Sequence, residues 1–453
     1  MKVMKFGGAA MAHADTIQAA ARIIASQQGP RVVVTSAMGG VTDRLAAFLA
    51  DEPDEAGVYV LLDELRRRHM DALSAIGDDD AARYALDTRF ERLERLLYGI
   101  VYTQERTPRL RDLVQSFGER LSVPLLAAAL RAQGVQAAHL DAEDIGLGSL
   151  GPFGNARPDM PRLQREVPAA LRPLLDDGTV PVITGFYGVD ASGQATLFGR
   201  GGSDYVASLV AVALEADAVE LWKDVAGFLT TDPRAVPAAR LVPELGYDEA
   251  AELAHFGAKV LHPRAVEPVE GQGIPIHIRC FLDPDAPGSV VREGVPATAM
   301  VRACASKDGL ALVRLIGPGM AYTPGVAHRV FEALARAGIN VLNMGTSQAT
   351  FALLIEEADV ASAQAALEPL VGGVMQSIEV LRDRSLVCVV GRGLGETPGT
   401  AARILESVSR QGVNVEMISL GASDIAIDFI VQGSQRHAAL QGVHETFLAK
   451  VVA

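Results

Sequence analysis

Cysteine is scarce: Cys280, Cys304 and Cys388 are the only three in 453 residues, far apart and in no CxxC pair. That excludes a disulfide framework and a clustered zinc site, and it fits reduced thiols in a cytoplasm. No basic block occurs, and the formal charge is −14. A polyanion or an anionic membrane finds no patch to grip, so neither nucleic acid nor membrane is an expected partner. No apolar run reaches the ~20 residues that span a bilayer. The N-terminus carries no charged-then-apolar leader pattern, so a cytoplasmic chain is expected. Lysine is scarce too. Of 41 basic residues only six are lysine: Lys2, Lys5, Lys223, Lys259, Lys307 and Lys450. Three of them stand in KFGG, WKDVAG and FGAKVLHP. Lysine is a compact charge that reaches between phosphate oxygens, whereas arginine is a planar fork. Chance retention accounts for the bias equally well.

What is present is apolar and periodic. The chain is 49% hydrophobic, enough for two or three domains with sizeable cores. KVMKF, DTIQAAARIIASQQ and RVVVTSAMGG read as a βαβ unit, with Asp15 a plausible N-cap. From about 51 to 135 the pattern is helical, its Leu, Phe and Tyr recurring at three-to-four spacing. Strands return in VQAAHLDA, TVPVITGFYGV, AVELWKDVAGFL and IPIHIRCF, with a helix at SDYVASLVAVALEA. Such alternation predicts an α/β fold, a mostly parallel sheet sandwiched by helices. DPDAPGSVVREGVPAT reads as a linker. Beyond it lies a repeat: TPGVAHRVFEALARAGINV from Thr323 and TPGTAARILESVSRQGVNV from Thr397, at a constant offset of 74 residues. Pro324/Pro398, Gly338/Gly412 and Asn340/Asn414 keep that offset, so the match spans a helix and its caps.

Four stretches carry candidate chemistry. In MKVMKFGGAA, Lys5 precedes Gly7-Gly8 at a strand end, either a phosphate cradle or a plain turn. In GRGGSDYVASLVAVAL, three glycines precede Ser203-Asp204 at a helix start. Backbone N–H groups and the helix dipole there suit an anion, and Arg200 can fork a carboxylate or phosphate. Equally, Ser203 or Asp204 simply caps the helix. TSAMGGVTD is a second small-residue loop at a strand end, which makes Ser36 and Thr42 candidate ligand donors. WKDVAGFLTTDPR and FGAKVLHP place Asp224 after a strand and Lys259 after a glycine. His255 and His262 are seven apart, two turns if helical, and without a third ligand they read as packing or capping rather than metal binding.

KFGG, SxxxGVT, FGERLS, TGFYG, GRGGSDY, DVAGFLTTDPR and FGAKVLHP, in this order and followed by the repeat, resemble the aspartate kinases of the amino-acid kinase family with paired ACT domains. The resemblance covers essentially the whole chain. It implies ATP-dependent phosphorylation of the L-aspartate side chain to 4-phospho-L-aspartate, with Mg²⁺. It implies an amino-acid-kinase domain at 1–284 with a helical insertion at 51–118, then βαββαβ-type ACT domains at 300–382 and 383–453. Carried over, Lys5, Gly7 and Gly8 cradle the transferring phosphate, Lys259 reaches it from the other side, and Asp204 orients the lysines. Ser36, Thr42, Glu119, Arg200 and Ser203 hold aspartate. Lys223, Asp224, Arg234 and Val260 lie against the nucleotide. Met320, Thr323, Gly325, Asn340, Val341, Thr346, Ser347 and Gln348 hold a feedback amino acid, and the ACT domains imply a homodimer or a dimer of dimers.

The chain departs from the family in three places. Ala9-Ala10 follow KFGG where the family commonly has Thr-Ser. Lys223 stands where it has threonine, either a charge at the nucleotide edge or a solvated side chain. Leu229 replaces a common tyrosine. Lysine-inhibited members carry acids in the strand after the first repeat helix, where this chain has Leu342 and Gln348. A bound lysine needs such an acid, so threonine is the favoured effector. A catalytically impaired amino-acid sensor and a sibling kinase for another acidic substrate are the competing readings.

Overall fold

The structure, a computed structural model, describes residues 1–449 apart from Glu52, Lys259, Ala297, Thr298, Val374 and Glu396. They form two compact units. One holds Met1–Phe228, Pro243–Ala251 and Val260–Val295, and the other holds the remaining described residues.

In chain order the elements up to residue 291 are β1 (Lys2–Phe6), α1 (Ala14–Ser26), β2 (Arg31–Thr35), α2 (Val41–Ala50), α3 (Glu55–Ile76), α4 (Asp80–Thr103), α5 (Pro108–Ala132) and β3 (Ala137–Leu140). Then come β4 (Ser149–Leu150), β5 (Arg157–Pro158), α6 (Met160–Asp176), β6 (Val180–Thr184), β7 (Tyr187–Val189), β8 (Ala195–Leu197), α7 (Gly202–Leu214) and β9 (Ala218–Lys223). Last are β10 (Glu244–Leu245), α8 (Tyr247–His255), α9 (Glu267–Glu270), β11 (Ile276–Cys280) and β12 (Ser289–Val291). The main sheet runs β10-β12-β11-β9-β1-β2-β6-β3. Every pairing in it is parallel except β11 with β12. The central strands are unbroken apolar runs because helices cover both faces. The chain leaves β1 towards β2 on one side, while β9 flanks β1 on the other. Ligands of open α/β sheets bind at such a reversal, beyond the carboxyl ends of the strands.

Helices α3, α4 and α5 bury one stripe each, such as Val58, Leu61, Leu65, His69 and Leu73 on α3. Side-chain caps fix their starts: Asp54 accepts from the Gly57 N–H, Asp79 from Ala82 and Thr107 from Leu110. Two other caps differ from the sequence expectation. His13, not Asp15, is the N-cap of α1, and Asp15 lies in the first turn. Gly201, in the left-handed region at φ 75°, caps α7, which frees Ser203 and Asp204 from that role. The stretch read as a linker contains β12, because Ser-Val-Val between two glycine turns can pair with β11.

The second unit holds β13 (Ala303–Ile316), α10 (Val326–Arg336), β14 (Asn343–Thr346), β15 (Thr350–Glu356), α11 (Val360–Leu367), β16 (Ser377–Val390), α12 (Thr400–Ser409), β17 (Met417–Ser419), β18 (Ala426–Gln432) and α13 (Arg436–Val443). One sheet, β14-β15-β13-β16-β18-β17, serves both repeats. The far half of β13, Leu310–Ile316, pairs with β15, and the far half of β16, Arg384–Val390, pairs with β18. Each long strand thus opens one βαββ copy and lends its other half as an outer strand to the next. The register shifts near Lys307–Leu312 mark the handover. Two apolar clusters follow, one around Val330, Leu353 and Val360, the other around Ile404, Phe429 and Leu440.

Candidate active site

The carboxyl ends of β1, β2, β6 and β9 converge. β1 delivers Lys5 and then Gly7-Gly8, whose chain is tied across when the Gly7 N–H donates to the Trp222 carbonyl at 3.3 Å. β9 ends on Lys223, and β2 runs into Ser36 and the loop to Gly40. At β6 the Gly185 N–H donates to the Thr35 carbonyl, and a Cβ on Gly185 would sit 2.7 Å from that of Ser203. Only glycine lets the α7 start come this close. Phe186 beside it holds φ 70°, an uncommon value for a bulky residue.

Asp204, in the first turn of α7, meets two ammonium groups. Lys5 Nζ lies 2.6 Å from its Oδ1 and Lys223 Nζ 2.7 Å from its Oδ2. Burial alone would raise the Asp204 pKa. Lys223 and Lys5 outweigh it and hold the carboxyl well below the usual carboxylate range. Burial lowers the Lys5 ammonium, Asp204 opposes this, and the Lys223 charge adds to it. The Asp204 carboxyl, with a lysine on each oxygen, keeps its charge. The solvated reading of Lys223 is therefore corrected; its side chain is only 16% exposed and ion-paired.

Next to this pair lies a cavity of about 220 Å³, lined among others by Gly8, Ser36, Gly39, Thr42 and Glu119. Glu119 comes from the middle of α5 and is 3% exposed. Its Oε1 accepts from the Ala37 N–H at 3.2 Å, and its Oε2 has no hydrogen-bond partner. Burial pushes its pKa up to about 8, against the pull of that N–H and of Lys5. A half-satisfied buried carboxyl at a cavity wall is made for a cation. The approach of α5 depends on Gly118, where a Cβ would lie 2.8 Å from both Ala37 Cβ and Thr42 Oγ1. Gly118 escaped the sequence reading, although a glycine inside a helix was its signal. Arg120, next to Glu119, is buried against Tyr187 and ion-paired to Asp141 and Glu143, which locks α5 in place.

The other candidates divide. Ser203 is buried at the α7 start, while Arg200 is exposed and without an ion pair among the described residues. The Ser36 carbonyl accepts from Ser122, leaving its own hydroxyl without a protein partner among the described residues. Asp224 is exposed beside Lys223. Ala9 is exposed and Ala10 fully buried in the core, so this loop offers only backbone donors and Lys5. Lys259 lies outside the described residues. Val260 is half-buried. Arg234 belongs to the second unit, where it pairs with Asp232 at 3.2 Å in the same turn. His255 ends α8 and His262 lies beyond it, so the two do not share a helix; the His262 ring accepts from the Arg264 N–H and caps the turn Pro263–Ala265. Arg264, unread in the sequence, stacks on Tyr205 and donates to Asn155 and to the Phe198 carbonyl, pinning the loop before Arg200.

The effector candidates form two groups. Met320, Thr323 and Gly325 surround the N-terminus of α10, where Gly325 caps at φ 85° and the Thr323 hydroxyl donates to the Gly319 carbonyl. Asn340 and Val341 precede β14, Thr346 ends it, and Ser347 and Gln348 lie in the turn to β15. The Ser347 hydroxyl already accepts from the Thr350 N–H.

Residues 1–280 match the model of the amino acid kinase family, and 313–369 with 387–447 match that of the ACT domain. The lysine-sensitive aspartokinase 3 of Escherichia coli K12 is 33% identical over 98% of both chains. The chloroplastic aspartokinase 1 of Arabidopsis thaliana is 33% identical over 98% of this chain and 80% of its own. The crystal structure of E. coli aspartokinase III with aspartate and ADP superposes at a TM-score of 0.86, at 32% identity over 98% of this chain and 99% of that one. The chain belongs to the aspartokinases. This aspartokinase is accordingly a phosphotransferase that acts on the aspartate side-chain carboxylate, and its ACT domains tie it to feedback regulation. The same E. coli enzyme with lysine and aspartate matches at a TM-score of 0.85.

Proposed function

We propose that catalysis rests on Lys5, Asp204 and Lys259. L-aspartate is held by Ser36, Thr42, Glu119, Arg200 and Ser203. The nucleotide lies against Gly7, Gly8, Lys223, Asp224, Arg234 and Val260. The observation that carries this reading is the buried Lys5–Asp204 pair beside a cavity walled by the half-satisfied Glu119. The nucleophile is the substrate carboxylate, ionised at neutral pH with a reference pKa of about 3.9, so no general base is needed. The protein's task is in-line positioning and charge stabilisation on the phosphoryl group. Glu119 Oε2 takes the substrate ammonium, and Arg200 forks the α-carboxylate. Both Asp204 oxygens are engaged by lysines, so Mg²⁺ fits as an ion carried by the phosphates rather than by a protein cage. When bound, it would neutralise phosphate charge. Lys259, Arg234 and Val260 enter on the motif alone.

The ACT domains, at 300–382 and 383–453 beside a kinase domain at 1–284, are read as binding threonine rather than lysine. Among residues 339 to 348 there is no acid to meet a lysine ammonium, and Thr346 and Gln348 are exposed there. The domain limit at 382/383 falls inside β16, at Asp383 with φ 56°. Exposed Met344, Ile418 and Leu420 on the edge strands and their flanks support pairing with a second copy. No helix among the described residues is long and apolar enough to cross a membrane; a cytoplasmic setting rests on the three free cysteines. ADP production with Mg-ATP and L-aspartate tests the kinase. Turnover that requires aspartate supports it, and no aspartate-dependent turnover leaves the sensor reading.

A further inference from the structure

Asp204 carries two cations where one would satisfy it. We propose that Lys223 is a second phosphate-binding ammonium of the transfer site, parked on Asp204 and given up to the nucleotide's phosphates when they arrive. The proposal rests on the kinase reading above.

Register places it there. β1 and β9 are parallel, with Phe6 opposite Trp222, so Lys223 stands level with Gly7 at the strand ends. Its Nζ and that of Lys5 occupy the two oxygens of one carboxylate at 2.7 and 2.6 Å. The three side chains are 16%, 7% and 6% exposed. Two ammoniums on one carboxylate leave one positive charge uncompensated. Among the described residues neither lysine is ion-paired to a second acid. A surplus charge in a poorly solvated place is costly unless an anion joins it. Phosphate oxygens supply that anion. The loop after β1 explains the need: exposed Ala9 and fully buried Ala10 give no hydroxyl, so charge from β9 complements the bare backbone donors. Asp204 then acts as a shared counter-ion. It holds both lysines in the empty site and can release one without stranding the other.

The rival explanation is that Lys223 only fixes Asp204. Calorimetric titration of full-length wild type, Lys223→Met and Lys223→Arg with Mg-ADP, AMP and adenosine separates the two. Methionine keeps the apolar stem and removes the charge. We expect ADP affinity to fall about 10- to 100-fold in Lys223→Met, the weight of one charge-assisted hydrogen bond. AMP should lose less and adenosine nothing, and Lys223→Arg should recover most of the loss. Unchanged ADP affinity, or equal losses for ADP and adenosine with a lowered melting temperature, would overturn the proposal and leave a structural tether. Should Lys223→Met fail to fold, Lys223→Thr, which puts back the residue the family commonly has and also removes the charge, decides by the same graded loss. Aspartate-dependent ADP production by wild type is run alongside. Its absence would sink the kinase reading, while the ligand series still decides Lys223.

Discussion

Glu119 shows how one side chain couples protonation to binding. Its carboxyl is buried, accepts one N–H and has its pKa pushed up to about 8. In the empty site at pH 7 it is therefore mostly protonated. A substrate ammonium beside Oε2 favours the carboxylate and expels the proton. Aspartate binding at pH 7 should release close to one proton, and aspartate affinity should rise with pH up to about 8. Calorimetry in buffers of different ionisation enthalpy measures this. Glu119→Gln should abolish the release and raise the aspartate KM about 10- to 100-fold, in line with a lost charge-assisted bond. Proton release that persists in Glu119→Gln would show that another group titrates. The raised pKa also has a folding sign. Between about 4.5 and about 8 the unfolded chain ionises Glu119 and the folded one does not, so this group's contribution to stability is lost as pH rises through that window. The Lys5–Asp204 pairing was legible only through the family resemblance, since the residues alone also allowed Asp204 to be a helix cap. The pairing of Lys223 was not, because nothing local to WKDVAG says which helix start faces the end of β9.

Glycines decide the elements around the cavity, and their helical context hid one of them. Gly118 costs α5 helical propensity yet lets it reach Ala37 and Thr42. Gly118→Ala should push α5 off the loop that lines the cavity. The expected result is an aspartate KM raised several-fold with the ATP KM spared, at a stability cost of about 1–3 kcal/mol from overpacking. Steady-state kinetics with each substrate varied checks the split, and equal changes in both constants would point to a global disturbance instead. The helices α3–α5 were legible from their apolar spacing. What the spacing concealed is that the α3 stripe includes a histidine. His69 is fully buried, its Nδ1 at 2.7 Å from the Leu65 carbonyl and its ring edge-on to Phe90. Burial lowers its pKa from 6.5 to about 4, and a half-buried histidine, His139 on β3, is lowered to about 4 as well by partial burial and by Arg89 and Arg131. A histidine kept neutral in the fold supplies stability that is present above pH 6.5 and lost as pH falls through about 4. Hydrogen exchange along α3 and α4 should therefore quicken over that acid window. His69→Leu, which also removes the unpartnered Nε2, should flatten part of the slope and leave the His139 part. An unaltered slope would assign the acid sensitivity elsewhere.

At the scale of the molecule, the repeat offset of 74 residues made the two regulatory copies visible, because caps and helix repeat together. It could not show that β13 and β16 each serve both copies. A long apolar strand looks the same whether it has one set of neighbours or two, and only the register shifts near Lys307–Leu312 reveal the exchange. Nor could it show that Leu229–Val242, written into a nucleotide motif, joins the second unit and takes Arg234 with it. Sequence order does not fix which core a segment packs on. The effector is where this matters most. The chain is 33% identical to an enzyme named for lysine sensitivity, yet chemistry in one strand outweighs overall identity. Leu342 is half-buried, its N–H donating to the Leu354 carbonyl at 2.8 Å, and Gln348 is exposed at the β14–β15 turn. Neither offers the charge a lysine ammonium needs to leave water. Threonine asks only for hydroxyl partners. Threonine should therefore suppress ADP production and lysine should not, each titrated alone at fixed Mg-ATP and L-aspartate. Leu342→Asp with Gln348→Glu should gain lysine inhibition and lose threonine inhibition by about tenfold or more, a coupling change of about 1.4 kcal/mol. Inhibition of the unaltered enzyme by lysine would keep the kinase and refute the effector assignment, because it would require an acid from outside residues 339–348 to reach the ligand.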